Sequence, residues 1–326
     1  RQDKPLHPLT EARRRAPVYD WTETPPTPEF LGPRLIDDLP LSELVDYIDW
    51  TFFFHAWEIR GKYPAVLEHP EHGAAARELF DNAQRLLDRL ISGRELRARG
   101  VYGFWPAASD QDDIIVFSPD DRSVEIARFP MLRQQRKKAD DKPQYSLADF
   151  VAPRGSGARD HIGAFAVTAG IGADDIAARF EEQLDDYSAI LVKALADRLA
   201  EAFAEMLHER ARGQWGYETA GPLTNEQLIA EDYRGIRPAF GYPACPDHTP
   251  KRDLFRLLGA AALGMELSES LVMVPAASVS GIYLAHPEAR YFAIGRIGRD
   301  QVVDYGARAG MTLGEAERWL APNLGY

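Results

Sequence analysis

Residues 234–248 concentrate side chains that could do chemistry: Arg234-Gly235-Ile236-Arg237-Pro238-Ala239-Phe240-Gly241-Tyr242-Pro243-Ala244-Cys245-Pro246-Asp247-His248. Three prolines and two glycines in fifteen residues forbid a helix, and predicted helices flank the stretch, so it forms a stiff loop. A stiff loop with unpaired backbone N–H and C=O groups beside an arginine suits a small zwitterionic ligand. The guanidinium grips a carboxylate with two parallel hydrogen bonds, and nearby carbonyls accept from an ammonium. The same residues also describe a packed connection whose arginine pairs with a neighbouring acid, and on residue types alone that is the plainer interpretation. Cys245-Pro246-Asp247-His248 contains metal-ligand residue types, but one short cluster without partners reads as a turn.

Other chemistries fail on spacing. Gly170-Ile171-Gly172-Ala173-Asp174-Asp175 follows a predicted strand and precedes a helix, but an acid stands where a dinucleotide loop needs its third glycine. No P-loop, no H-E-x-x-H pair among the eight histidines and no G-x-S-x-G elbow occur. The chain has 326 residues with 38 Lys+Arg against 50 Asp+Glu, a net charge of −12. That balance argues against nucleic acid as a partner, because phosphates demand a basic face. No apolar run approaches the ~18 residues that span a bilayer, so no membrane partner is expected. A lone cysteine, Cys245, excludes an internal disulfide and a cysteine-pair zinc site, and with no signal-peptide pattern a cytoplasmic setting is expected. The opening Arg1, in place of methionine, suggests a segment of something longer.

The elements that must hold the loop follow from periodicity. The first 40 residues carry eight prolines, which predicts an extended arm without helix. A short helix is expected from Leu41, leading into an aromatic run around Asp49. Residues 74–92 place Ala76, Leu79, Ala83, Leu86, Leu87 and Leu90 on one helical face, with Gly93 as the stop. The period then changes to two: 101–105, 114–117 and 124–129 read as strands joined by loops too short for crossover helices. A strand at 163–169 and a long helix at 184–211 follow. Helix starts are marked by Thr224-Asn225-Glu226-Gln227, Thr249-Pro250 and Thr312-x-x-Glu315, the second helix ending at Gly264. Residues 271–274, 279–284 and 291–297 read as further strands. The class is α+β. Arg133, Arg136, Lys137 and Lys138 form a local basic cluster, read either as a solvated loop or as a docking patch for an acidic partner.

Several segments together resemble the S-adenosylmethionine-binding activation domain of cobalamin-dependent methionine synthase. They are Asp49-Trp50-Thr51-x-Phe53-Phe54, Gly61-Lys62-Tyr63-Pro64, Gly103-Phe104-Trp105-Pro106-Ala107, Asp112-Asp113-Ile114, the run 195–205, and the 234–248 loop. Ala277-Ser278-Val279-Ser280-Gly281, His286-Pro287 and residues 317–324 complete the series, in family order from about residue 35 onward. The family's Arg-x-x-x-Gly-Tyr motif is met by Arg237, Gly241 and Tyr242, with Phe240 where a proline is expected. The resemblance implies one C-shaped domain over 35–326, a twisted antiparallel sheet flanked by helices, preceded by a proline-rich arm at 1–34. It implies that Asp49, Glu201, Arg237, Ala239, Gly241, Tyr242, Tyr291 and Phe292 bind S-adenosylmethionine. Helical spacing alone would put Asp197, Glu201 and Glu205 on a solvated face.

By the same resemblance, the domain supplies the methyl group that returns cob(II)alamin to its methylated form, with an electron from a flavodoxin or flavoprotein reductase. Cobalamin itself belongs to another domain: none of the histidines has an aspartate two residues before it, so the family's cobalt-ligating motif is missing. The basic cluster is the expected reductase contact. A free-standing S-adenosylmethionine-dependent methyltransferase and a flavoprotein-docking module without ligand are the alternatives.

Overall fold

Period-two apolar patterning between residues 97 and 171 builds a sheet, and helical patterning on either side covers it. The computed structural model describes residues 5–138, 142–217, 221 and 223–326. In chain order the elements are α1 Leu9–Arg14, β1 Gly32–Leu39, α2 Trp50–Ala56, α3 Gly73–Gly93, β2 Arg97–Asp110, β3 Asp113–Phe117 and β4 Glu125–Pro130. Then come β5 Asp160–Ile171, α4 Ala173–Glu182, α5 Asp186–Trp215, α6 Asn225–Ile229, α7 Lys251–Leu258, β6 Glu266–Leu267 and β7 Met273–Val274. Strand β8 Ser278–Tyr283 and helices α8 Arg299–Ala309 and α9 Leu313–Trp319 complete the chain.

The main sheet runs β4-β3-β2-β5-β8, with antiparallel pairing throughout. Strand β2 is its spine. One edge pairs with β5 from Arg97↔Ile171 to Ala107↔Asp160, and the other is shared by β1 (Gly32↔Phe104) and β3 (Ala107↔Val116). Both faces of β2 and β5 are covered, so their burial is nearly continuous. Tyr102, Phe104, Phe165 and Val167 pack against α3 and α5, while Val101, Trp105, Ile162 and Ala164 meet α7 on the opposite side. The 30 residues of α5 make a helix about 45 Å long, which carries one wall of the molecule from sheet to cleft.

The α+β class and the 73–93 helix agree with expectation; four local expectations do not. The N-terminal region is not helix-free: α1 occupies the proline-free window between Pro8 and Pro17 and buries Leu9 and Ala12. The anticipated arm boundary at 34/35 falls inside β1. Residues 291–297 are not a strand. Gly295 takes a left-handed φ of +71°, and the segment makes only an isolated bridge, Ile297 to Leu324. Helix α7 ends at Leu258, because Gly259 at φ +65° turns the backbone, and a single 3-10 turn then reaches Gly264. Helix α8 was not anticipated, since Val302 and Tyr305 are its only large buried apolar residues.

The basic cluster also divides. Arg133 is buried, its side chain 3% exposed, with Nη2 2.7 Å from Asp112 Oδ1 and 2.6 Å from Asp149 Oδ1. It therefore cannot be a surface docking residue. Lys138 is half-buried and donates to Gln134 Oε1 at 2.7 Å, whereas Arg136 and Lys137 are exposed. Asp112 also takes Arg13 Nε at 2.7 Å, and Arg13 reaches on to Asp304 at 2.8 Å, so the network ties α1 and α8 to the sheet. Removing one partner from a buried ion network leaves uncompensated charge. Arg133→Ala should therefore lose about 3–5 kcal/mol of stability in urea unfolding, and a loss under about 1 kcal/mol would contradict this role.

Candidate functional site

A cleft of about 1000 Å³ opens between the start of α2, the middle of α5, the loop before α7, the turn before β7 and residues 291–292. Each wall has a local cause. Asp49 is the N-cap of α2, its Oδ1 accepting from Phe52 N at 3.0 Å, which leaves the carboxylate at the cleft edge. On α5, Glu201 and Glu205 lie one turn apart on the cleft side. The stripe read as solvated is graded: Asp197 is exposed, Glu201 is partly buried and Glu205 is buried.

The stiff loop is stitched to the β8 end. Ile236 and Leu284 exchange backbone hydrogen bonds at 3.0 Å, and Ile282 N donates to Pro238 O at 3.0 Å. Gly241 has φ +95°, and a Cβ there would lie 2.1 Å from the His248 ring, so only glycine fits. Phe240 buries its side chain against Phe129 at a centroid distance of 5.4 Å, so packing anchors the position where a proline was expected. The metal-like run does structural work. Cys245 Sγ donates to Ala239 O at 3.0 Å, and Asp247 accepts from Thr249 N at 2.9 Å and Tyr305 Oη at 2.6 Å.

Arg237 emerges from this loop into the cleft, and its backbone N–H donates to Tyr291 Oη at 3.0 Å. Its guanidinium pairs with Glu205 Oε2 at 2.6 Å. Both interpretations of the loop thus apply: the arginine does pair with a neighbouring acid, and it does so inside a cavity. Burial opposes the Arg237 charge, and Glu205 beside it more than restores it. Burial also pushes the Glu201 carboxyl up, against the pull of Arg198 and Arg237, and raises Glu231 against Arg237 alone. The Tyr291 hydroxyl is pushed up to about 12 by burial.

Of the residues expected to bind a ligand, Asp49, Glu201, Arg237, Ala239, Tyr242, Tyr291 and Phe292 all line this one cleft. Gly241 does not line it and acts instead through the backbone turn. Sequence reasoning missed Glu205, His208, Glu231 and Tyr233. Glu205 was visible as the next member of the Glu201 stripe. Glu231 has a left-handed φ of +54°, for which the sequence carries no signal.

The family model described as vitamin B12 dependent methionine synthase, activation domain, matches residues 40–310. The chain belongs to that activation-domain family. A crystal structure of the MetH reactivation domain bound to AdoHcy is similar over 99% of this chain and 99% of its own, at 50% identity and a TM-score of 0.96. The antiparallel sheet with flanking helices is therefore the activation-domain fold. Among the described residues no helix is long and apolar enough to cross a membrane.

Two outcomes follow from the geometry of this activation domain. Gly241→Ala forces both a strained φ and a clash with His248, so about 1–3 kcal/mol of stability should go. A melting temperature equal to wild type would contradict the close approach. His208 is fully buried, and burial, reinforced by Arg237 and Arg212, holds it well below the ordinary histidine range. The unfolded chain takes up a proton at this histidine below about pH 6.5 while the folded chain does not. The stability carried by neutral His208 is present above that pH and is lost as pH falls. His208→Asn should therefore flatten the decline in urea midpoint between pH 7.5 and 5.5, by up to about 1.4 kcal/mol per pH unit. An unchanged slope would show that His208 titrates normally.

Proposed function

We propose that the cleft binds S-adenosylmethionine and presents its methyl group for reductive methylation of cob(II)alamin carried by another domain of a cobalamin-dependent methionine synthase. The observation that carries this is Arg237, a partly buried guanidinium held by a rigid loop in a cavity, in a chain whose 50%-identical relative holds AdoHcy. The residues fit such a ligand. Arg237 suits its carboxylate. Among the described residues Asp49, Glu201 and Glu231 line the cleft without an ion-pair partner, which leaves acceptors for an ammonium and negative charge for a sulfonium.

When bound, S-adenosylmethionine supplies an electrophilic methyl, and its transfer moves no proton, so a general base is not required. The chain's share is to bind, orient and exclude water. Arg237 takes the carboxylate. Asp49 accepts from a ligand N–H. Tyr291, tied through its hydroxyl to the Arg237 backbone, and Phe292 form an aromatic wall against a cationic ligand. Ala239 and Tyr242 complete the loop side, with Gly241 setting the turn between them and His248.

The electron would come from a flavodoxin or flavoprotein reductase docking on the exposed Arg136 and Lys137, in the cytoplasm. The ligand-binding domain includes all of β1, with the preceding N-terminal segment packed onto it through Arg13.

Calorimetric titration with S-adenosylmethionine and AdoHcy tests the proposal. Wild type should bind both, and Arg237→Ala should lose at least about thirtyfold in affinity, as expected for truncating a buried charge contact. Equal affinity in the variant would put the ligand elsewhere, and absence of binding to wild type would leave a docking module. Methylation of small acceptors by the isolated chain would point to a free-standing methyltransferase.

A further inference from the structure

Arg237 is held on more than one side. Nη2 meets Glu205 Oε2 at 2.6 Å, while Nη1 donates to Tyr233 Oη at 2.9 Å and faces His208 Nδ1 at 3.4 Å. A guanidinium only donates, so His208 Nδ1 is the acceptor and the ring proton is assigned to Nε2. The burial that keeps His208 uncharged is what permits this contact. The support is itself rigid. His208 stacks parallel to Tyr283 at 5.0 Å and meets Tyr233 edge-on at 5.0 Å, and Arg212 lies 3.8 Å over the Tyr233 ring. Neither His208 nor Tyr233 lines the cleft; they stand behind its wall, and Glu205 is the member that lines it.

Both terminal nitrogens are thereby engaged, whereas among the described residues Arg237 Nε has no hydrogen-bond partner. Glu205 commits its carboxylate to this one contact: Oε2 meets Arg237, while Oε1 is buried without a hydrogen-bond partner, an unmet acceptor that a purely structural site would be expected to satisfy. What the arrangement does supply is a fixed guanidinium. A free arginine side chain carries rotamer entropy that a ligand would otherwise have to overcome.

We propose that Glu205 is a positioning residue: it clamps one terminal nitrogen of Arg237 while Tyr233 and neutral His208 hold the other, so that the guanidinium is oriented before a ligand carboxylate arrives. This rests on the carboxylate-binding role proposed for Arg237 above. Glu205 acts through Arg237 and not on the ligand directly, since its remaining oxygen is closed off from solvent.

Calorimetry with two ligands separates this from a general structural role. The ligands are AdoHcy and its decarboxylated thioether analogue, which keeps the amine and the adenosine. Glu205→Ala should weaken AdoHcy by about tenfold and the decarboxylated analogue by less than about threefold, because only AdoHcy uses the oriented guanidinium. Glu205→Gln keeps an acceptor for Nη2 and should restore AdoHcy affinity to within about threefold of wild type. If the alanine variant does not fold, Glu205→Met preserves the side-chain volume and takes its place. Equal weakening of both ligands, or undiminished AdoHcy binding, would overturn the proposal. Wild type that binds neither ligand would overturn the functional assignment first, and that result is visible before any variant is made.

Discussion

A guanidinium set into a cavity wall and largely withdrawn from water is the constraint on which the site depends. Charge removed from water must be matched close by, and the chain matches Arg237 with Glu205 from α5, Tyr233 from the segment after α6, and a histidine held neutral by its surroundings. These groups come from different parts of the chain, so their convergence requires α5 to cross the sheet and the 236–244 loop to be stitched to the β8 end. The sheet in turn requires β2 to serve two strands along one edge. At the crossing with β1, a Cβ on Gly103 would lie 2.3 Å from Gly32 O. Local geometry at the cleft is thus inherited from the backbone packing of the sheet.

The scaffold was legible where a single physical signal dominates. The 73–93 helix has an unbroken apolar face, and the capping boxes at Thr224 and Thr312 mark α6 and α9 where the structure begins them. Composition misled at the N-terminus, because proline count hides a short proline-free window long enough for α1. Burial on both faces of β2 and β5 blurs alternation without changing the strand assignment. At 291–297 the apolar pattern was real, but those residues line a cleft and an edge rather than a ladder, which periodicity cannot distinguish.

The site was legible in part. Stiffness and an arginine pointed to the 234–248 loop, but pairing with an acid and presence in a cavity are compatible, and residue types alone could not show that both hold. Glu201 lay on a stripe that helical geometry assigns to solvent. Only the tertiary arrangement, in which the cleft cuts across α5, turns that stripe progressively inward. The basic cluster shows the converse: four cations close in sequence divide into a buried structural arginine, a tethered lysine and two exposed groups. Charge sharing with Asp112 and Asp149 decides this, and it involves residues distant in sequence.

On the proposed function, the cleft holds an S-adenosyl ligand with its carboxylate at Arg237. A crystal structure of this chain with AdoHcy tests it most directly. Ligand density should fill the cleft, with a carboxylate oxygen within about 3.2 Å of the Arg237 guanidinium and the Glu205 contact retained. An empty cleft at saturating ligand, or a ligand bound with its carboxylate turned away from Arg237, would contradict it.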